Sequence, residues 1–354
     1  MQQTVSPTRP VLDRVARVLV VDDSAYVRKV VRQILSRSPF LEVVGSARDG
    51  GEALQMADEL QPDVVVCDLI MPGLDGVGFI REQMGRRPVP VVVLSIAGEA
   101  SEGALAALDA GAIDFVHKPT ALATEKIYEI GTELVDKVKS AAGAAPRAPA
   151  TTAAYHLPAL GAASAWRADV VVIGISTGGP QGLKSLVPRL PADLPVPVAI
   201  VMHMPPGYME LYAAKLNDIS ALEVKQAEEG DELRPGCVLL APSGYHLLFK
   251  RAAGRVTAHL DLRPADTPHR PSVDVLFQSA AETYCERVLA LVMTGMGADG
   301  RDGAAWVKAK GGRVFTESEE SCVIFGMPRA VVEAGLSDRS APLEEMARTI
   351  VSEL

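Results

Sequence analysis

Cysteine is scarce in this chain. Its 354 residues hold four, Cys67, Cys237, Cys285 and Cys322, and no two form a CxxC pair. Such isolation argues against a structural zinc site and, at this length, against a disulfide-stapled scaffold. Free thiols in a reducing compartment are expected. Excess positive charge is missing too. The formal net charge is −9 and neither half is basic, which argues against a nucleic-acid partner. No apolar run is long enough for a membrane span, so no direct membrane insertion is expected. The first sixteen residues lack the basic-then-apolar pattern of a secretory signal, so a cytoplasmic location is expected. Aromatics make up 5% of the chain against 48% hydrophobic residues overall. This balance suits an Ala/Val/Leu-rich α/β protein able to bury large cores.

At about 150 residues per domain, the length suggests two domains. After a polar, Pro-containing extension (residues 1–16), short apolar runs alternate with helical periodicity. The runs at 18–21, 43–45, 64–67, 91–95 and 113–116 read as strands. The segments 27–35, 51–60, 76–85, 104–110 and 125–139 read as helices. Five such repeats predict a doubly wound parallel sheet over residues 17–140, with its ligand site at the strand carboxyl ends. An Ala- and Pro-rich stretch, 141–168, reads as a linker. A second α/β pattern fills residues 169–354. Its strands are expected at 170–175, 197–202, 288–293 and 313–316, and its helices from about Gln181, at 275–284 and at 300–310. Shorter strands near 238–241, 246–250 and 256–260 suggest a small β insertion in a mostly parallel sheet.

In the first domain Asp22, Asp23, Asp68, Ser95 and Lys118 all fall at strand carboxyl ends. Three crowded carboxylates stay ionised only with a cation or a lysine between them. A cluster offering only oxygen prefers Mg²⁺. A carboxylate held there can act as a nucleophile and form an acyl phosphate. Asp68, which ends the central strand alone, is the best candidate. Taken singly, Asp23 or Asp75 reads equally well as a helix N-cap.

In the second domain Gly174-Ile175-Ser176-Thr177-Gly178 fits G-x-S-x-G between a strand and a helix, a turn that exposes a serine at a strand end. Alone, this loop reads equally well as a phosphate cradle, because helix N-termini attract anions. His203 ends the next strand and is the best-placed base among six histidines. Asp299, in Met296-Gly297-Ala298-Asp299-Gly300, follows a further strand and is the candidate orienter of that base. Structural or surface roles are expected for His156, His246, His259 and His269. The order Ser176, His203, Asp299 differs from the Ser…Asp/Glu…His order of α/β-hydrolases.

Two resemblances follow from these residues. Val20-Val21-Asp22-Asp23-Ser24, Asp68-Leu69-Ile70-Met71-Pro72-Gly73-Leu74-Asp75-Gly76, Ser95 and Phe115-Val116-His117-Lys118-Pro119 resemble the receiver domain of response regulators, a flavodoxin-like five-stranded fold. The resemblance implies Asp68 as phosphoacceptor, and Mg²⁺ held by Asp22, Asp23, Asp68 and the Ile70 carbonyl. It also implies Ser95 and Lys118 as phosphoryl contacts, and Phe115 as an aromatic switch. The Ser176, His203 and Asp299 segments resemble the catalytic domain of CheB-type chemotaxis methylesterases. So do Pro242-Ser243-Gly244, His269-Arg270-Pro271-Ser272-Val273-Asp274 and Ser321-Cys322-Val323-Ile324-Phe325-Gly326-Met327-Pro328. That resemblance implies an α/β esterase domain with Ser176 as nucleophile, His203 as base and Asp299 as orienter. The Thr177 and Met296 amides would form the oxyanion hole, and no cofactor would be needed for the ester chemistry. It implies demethylation of glutamate methyl esters on methyl-accepting chemoreceptors, deamidation of receptor glutamines, and a CheA-type histidine kinase as phosphodonor. A monomer is expected.

Overall fold

The all-apolar runs of this sequence suit strands covered by helices on both faces, where every side chain is buried. The computed structural model, which describes residues 14–95, 101–118, 124–144 and 166–354, places them so. The chain divides into two compact units. Along its first part the order is β1 (Ala16–Val21), α1 (Ala25–Leu35), β2 (Leu41–Ala47), α2 (Gly50–Leu60), β3 (Val64–Asp68), α3 (Gly76–Arg86), β4 (Val91–Ser95), α4 (Ser101–Asp109), β5 (Asp114–His117) and α5 (Thr124–Ala142). The strands form one parallel sheet ordered β2-β1-β3-β4-β5. All five residues of β3 are buried. The chain reverses its winding between β1 and β3, and a crevice opens at the carboxyl ends there. Local sequence sharpens those ends. Asp75 caps α3, its Oδ1 accepting the Gly78 amide at 2.7 Å. Ser24, not Asp23, caps α1. A Cβ on Gly76 would lie 2.2 Å from the Asp68 carbonyl oxygen, so only glycine lets α3 start against the end of β3.

The second part runs β6 (Val170–Ile175), α6 (Gly179–Leu186), β7 (Val198–Met202), α7 (Met209–Asp218), β8 (Glu223–Gln226), β9 (Cys237–Leu240), β10 (His246–Ala252), β11 (Arg255–Asp261), α8 (Val273–Tyr284), β12 (Val288–Val292), α9 (Arg301–Ala309), β13 (Arg313–Glu317), α10 (Met327–Glu333), β14 (Arg339–Ala341) and α11 (Leu343–Val351). Seven strands pair in parallel in the order β14-β13-β12-β6-β7-β9-β8. Strand β9 belongs to this sheet, so the insertion reduces to the β10-β11 antiparallel hairpin. Its inner face, with Leu247, Phe249 and Val256, packs into the same core as α8. Winding reverses between β6 and β12, which carry the two glycine-rich turns.

Several elements have no counterpart in the sequence reading. β8 is a polar edge strand, Glu-Val-Lys-Gln, with only Val224 buried. β14 is three residues long. α7, α10 and α11 also lie outside the expected elements. The expected linker ends in ordered contacts: Trp166 Nε1 donates to the Glu286 carbonyl at 2.8 Å, Arg313 lies over the Trp166 ring, and Ala168 N donates to the Glu353 carbonyl at 3.0 Å. The remainder, 145–165, lies outside the described residues. All four cysteines are free. Among the described residues no helix is long and apolar enough to cross a membrane.

Candidate functional sites

At the β1/β3 switch point, carboxylate oxygens of Asp22, Asp23 and Asp68 all lie within 4.8 Å of one another. Asp22 and Asp68 are buried and Asp23 is exposed. Lys118, following β5, reaches across with Nζ 2.7 Å from Asp68 Oδ2 and 2.9 Å from Asp22 Oδ2. Asp68 Oδ1 accepts the Leu69 amide and Asp22 Oδ1 accepts the Ser24 amide. Asp22 Oδ2 is buried and meets no partner beyond that one ammonium. Burial pushes the Asp22 carboxyl above its ordinary value, against the pull of Lys118. Burial works to lower the Lys118 ammonium, but its contacts with Asp68 and Asp22 raise it. One lysine therefore does not satisfy this oxygen-only cluster, and its donor set fits a hard divalent cation. The Ile70 side chain is 66% exposed beside it. Phe115 is buried on β5. Ser95 ends β4 and His117 ends β5, and the side chains of both lie outside the described residues.

The second site lies at the β6/β12 switch point. Ser176 follows β6, His203 follows β7 and Asp299 sits in the turn before α9. They meet in a line: Ser176 Oγ lies 3.2 Å from His203 Nδ1, and His203 Nε2 lies 2.8 Å from Asp299 Oδ2. Asp299 is the acceptor at Nε2, so the proton belongs there and the Nδ1 lone pair faces the serine hydroxyl. Asp299 Oδ1 also accepts from the Ser272 hydroxyl and the Asp274 amide, and Oδ2 from the Val273 amide, at 2.8–2.9 Å. Burial works to raise its carboxyl. The His203 hydrogen bond and charge, with those amides, hold it below the usual carboxylate range. Asp274 behaves oppositely. Burial pushes it up to about 6, with the Asp299 charge adding to the rise, although the Gly300 and Gly303 amides donate to it. A hydroxyl, an imidazole and a carboxylate so joined can deprotonate the hydroxyl for attack on a carbonyl.

Glycines and one buried acid align this line. Gly178 has φ +82° just before α6. A Cβ on Gly295 would lie 2.7 Å from Ser176 Cβ, so the β12 turn can approach the serine only as glycine. Thr294 clamps the two turns. Its carbonyl accepts the Ser176 amide at 2.9 Å, its Oγ1 donates to the Thr177 carbonyl at 3.1 Å, and its amide donates to Glu317 Oε2 at 2.9 Å. Glu317, fully buried at the end of β13, also accepts the Ser321 hydroxyl. Thr177 is buried directly after Ser176 and Met296 is half-buried two residues beyond Thr294, so this network joins the Ser176 turn to the turn that carries Met296. The sequence reading missed Thr294 and Glu317. The one signal available was a glutamate ending the strand Arg313–Glu317.

Two other histidines proved local to the site. His246 is fully buried. Its Nδ1 accepts the Ser272 amide at 3.2 Å and its Nε2 donates to the Pro264 carbonyl at 3.0 Å. Burial holds its pKa below the ordinary value, so it is a neutral structural strut. His269 stacks on His203 with ring centroids 4.2 Å apart and planes 24° apart. His259 pairs with Glu229 on the exposed side of the hairpin.

Fold and sites together define a two-unit α/β protein that joins a receiver-type acid pocket to a Ser-His-Asp centre of the serine-hydrolase kind. A response regulator receiver domain matches residues 18–128, and a CheB methylesterase domain matches residues 171–350. The chain belongs to the CheB methylesterase family. The protein-glutamate methylesterase/protein-glutamine glutaminase 5 of Myxococcus xanthus is 55% identical over 335 residues, covering 93% of this chain and 95% of that one. A protein-glutamate methylesterase/protein-glutamine glutaminase of Symbiobacterium thermophilum is 43% identical over 356 residues, covering 96% and 97%. The crystal structure of the Thermotoga maritima CheB methylesterase catalytic domain matches with a TM-score of 0.52 at 42% identity, covering 53% of this chain and 99% of that domain.

Proposed function

We propose that this chain is a phosphorylation-controlled serine hydrolase that demethylates glutamate methyl esters on chemoreceptors and deamidates receptor glutamines, serving adaptation in chemotaxis. The observation that carries the reading is the hydrogen-bonded line Ser176–His203–Asp299 at a switch point. The receiver domain is assigned to residues 17–140 and the catalytic domain to 169–354, with 1–16 an extension and 141–168 a linker whose last residues are held against the catalytic unit. The working place is the cytoplasm and the phosphodonor a CheA-type histidine kinase.

In this mechanism His203 Nδ1 takes the Ser176 proton as Oγ attacks the ester carbonyl carbon. The Thr177 and Met296 amides hold the oxyanion. The His203 proton then goes to the departing methoxide, which leaves as methanol, or in the amide case to the departing amide nitrogen, which leaves as ammonia. Water attacks the acyl-enzyme, gives its proton to His203, and glutamate is freed as Ser176 Oγ recovers that proton. In the receiver, Asp68 accepts the phosphoryl group and Lys118 and Ser95 grip its oxygens. Asp22, Asp23, Asp68 and the Ile70 carbonyl would hold Mg²⁺, supported by three carboxylates gathered around one lysine. That ion supplies positive charge against the incoming phosphoryl group.

The test is methanol release from methylated receptor, with and without a small-molecule phosphodonor. Ser176→Ala lowers release by about 10⁴-fold or more in both conditions, and Asp68→Ala abolishes the stimulation by the donor. Undiminished release by Ser176→Ala would remove the catalytic assignment.

A further inference from the structure

The segment 269–274 does two things at the catalytic line. Its far end supplies the Ser272 hydroxyl and the Val273 and Asp274 amides to Asp299. Its near end lays the His269 ring on the face of His203. The segment is itself pinned: Gly244 N donates to the Arg270 carbonyl at 3.0 Å, and the Ser272 amide donates to buried His246. His269 is exposed to solvent on a well-anchored strap. Its ring is not needed to fill a core, which leaves the stack on His203 to be explained.

Consider how His203 is held through the cycle. In the free enzyme Ser176 Oγ fixes one edge of the ring and Asp299 the other. Once Ser176 is acylated, its hydroxyl proton is gone and Nδ1 has lost that partner. The ring then hangs on one hydrogen bond, at Nε2. A planar ring turning about its Cβ–Cγ bond can be stopped by a hydrogen bond at its edge or by a flat neighbour on its face. With the serine edge lost, the face contact remains, and the face belongs to His269.

We propose that His269 is a positioning residue for deacylation: its stacked ring keeps the His203 Nδ1 lone pair aimed at the hydrolytic water while Ser176 is esterified. This rests on Ser176 being the nucleophile. In that step the water oxygen bonds to the acyl carbon and its proton goes to His203 Nδ1. The proton then passes to Ser176 Oγ as the C–Oγ bond breaks. Misaiming the base slows this step more than acylation, where the serine still holds the ring.

The experiment is stopped-flow turnover of a peptide carrying a glutamate γ-p-nitrophenyl ester by the full chain, with mass spectrometry of the quenched enzyme. His269→Ala should lower steady-state turnover by about 10- to 100-fold, show a p-nitrophenol burst close to one per active site, and carry the acyl mass on Ser176. His269→Phe keeps a flat ring and should restore turnover to within a few-fold of wild type. Equal slowing of acylation and deacylation, unchanged turnover, or no recovery in His269→Phe would each overturn the inference, and so would a rise in KM alone. Ser176→Ala should give neither burst nor turnover. Turnover by that variant would defeat the nucleophile assignment itself, a different failure from a silent His269→Ala.

Discussion

The two sites occupy the same place in two similar sheets, yet they are built on opposite electrostatic terms. Around Asp299 every buried carboxylate oxygen meets donors: two amides, a hydroxyl and an imidazole. Around Asp22 a buried oxygen meets only the Lys118 ammonium, which it shares with Asp68, and burial works against the charge it must carry. The first arrangement is preorganised and complete without a ligand. The second holds like charges together and is relieved only by something positive. A centre that reacts must have its charges satisfied beforehand, because reorganisation during reaction costs rate. A centre that switches gains from being unsatisfied, because binding then shifts its energy.

Three further substitutions break or sharpen this contrast. The largest effect is expected from Asp299→Asn, which puts an amide against donors and upsets the proton position on His203. Turnover should fall by about 10³- to 10⁴-fold, read as methanol release. The same substitution should alter the pH dependence of unfolding. The folded carboxyl lies below its ordinary value, so its contribution is present above pH ~4 and is lost as pH falls through the folded value. The wild type should therefore lose its advantage over Asp299→Asn below pH 4, in thermal melts taken across pH. A wild-type advantage that grew as pH fell below 4 would contradict this sign.

Next comes Glu317→Ala. It strips the acceptor from the Thr294 amide and the Ser321 hydroxyl in a fully buried place. A loss of about 2–4 kcal/mol in urea unfolding is expected, with turnover lowered about 10-fold as the Ser176 and Met296 turns loosen. Normal stability in that variant would show that water replaces the carboxylate.

The smallest effect is expected from Asp22→Asn, and it runs the other way. Folding raises the Asp22 carboxyl above its ordinary value of 3.8, so its ionisation costs stability as pH rises through the folded value and the penalty persists at neutrality. Removing the charge should raise the melting temperature by a few degrees and abolish the further rise that millimolar Mg²⁺ gives the wild type. No such stabilisation at pH 7 would mean that Lys118 already neutralises the pocket.

Much of this was legible in the sequence for simple reasons. Strands buried on both faces must be apolar throughout, so Val64–Cys67 and Val170–Ile175 declared themselves, and the residues that ended them were the ones at the crevices. Elements at the sheet margins were not legible. β8 and β14 are stabilised by pairing along one edge, and their side chains, such as Glu223 and Arg339, carry no strand signal. α7 mixes inward Tyr212 and Leu216 with scattered charges. Among the site residues, Ser176, His203 and Asp299 could be named because each sits at a strand end or in the glycine-rich turn beyond one.

The sequence by itself determined the two alternating α/β patterns, the acid cluster with its lysine, and three chemically matched groups in three separate segments. Tertiary structure alone decided what surrounds them. It laid the ring of His269, 66 residues from His203 in sequence, on the face of the base. It set Glu317 against the Thr294 amide, and it left Asp22 and Asp68 to share one lysine. Strand-end position is a local property that apolar periodicity reports. A stacking contact or a shared lysine depends on which loops the sheet order brings together, and β6 meets β12 only after more than a hundred intervening residues have folded between them.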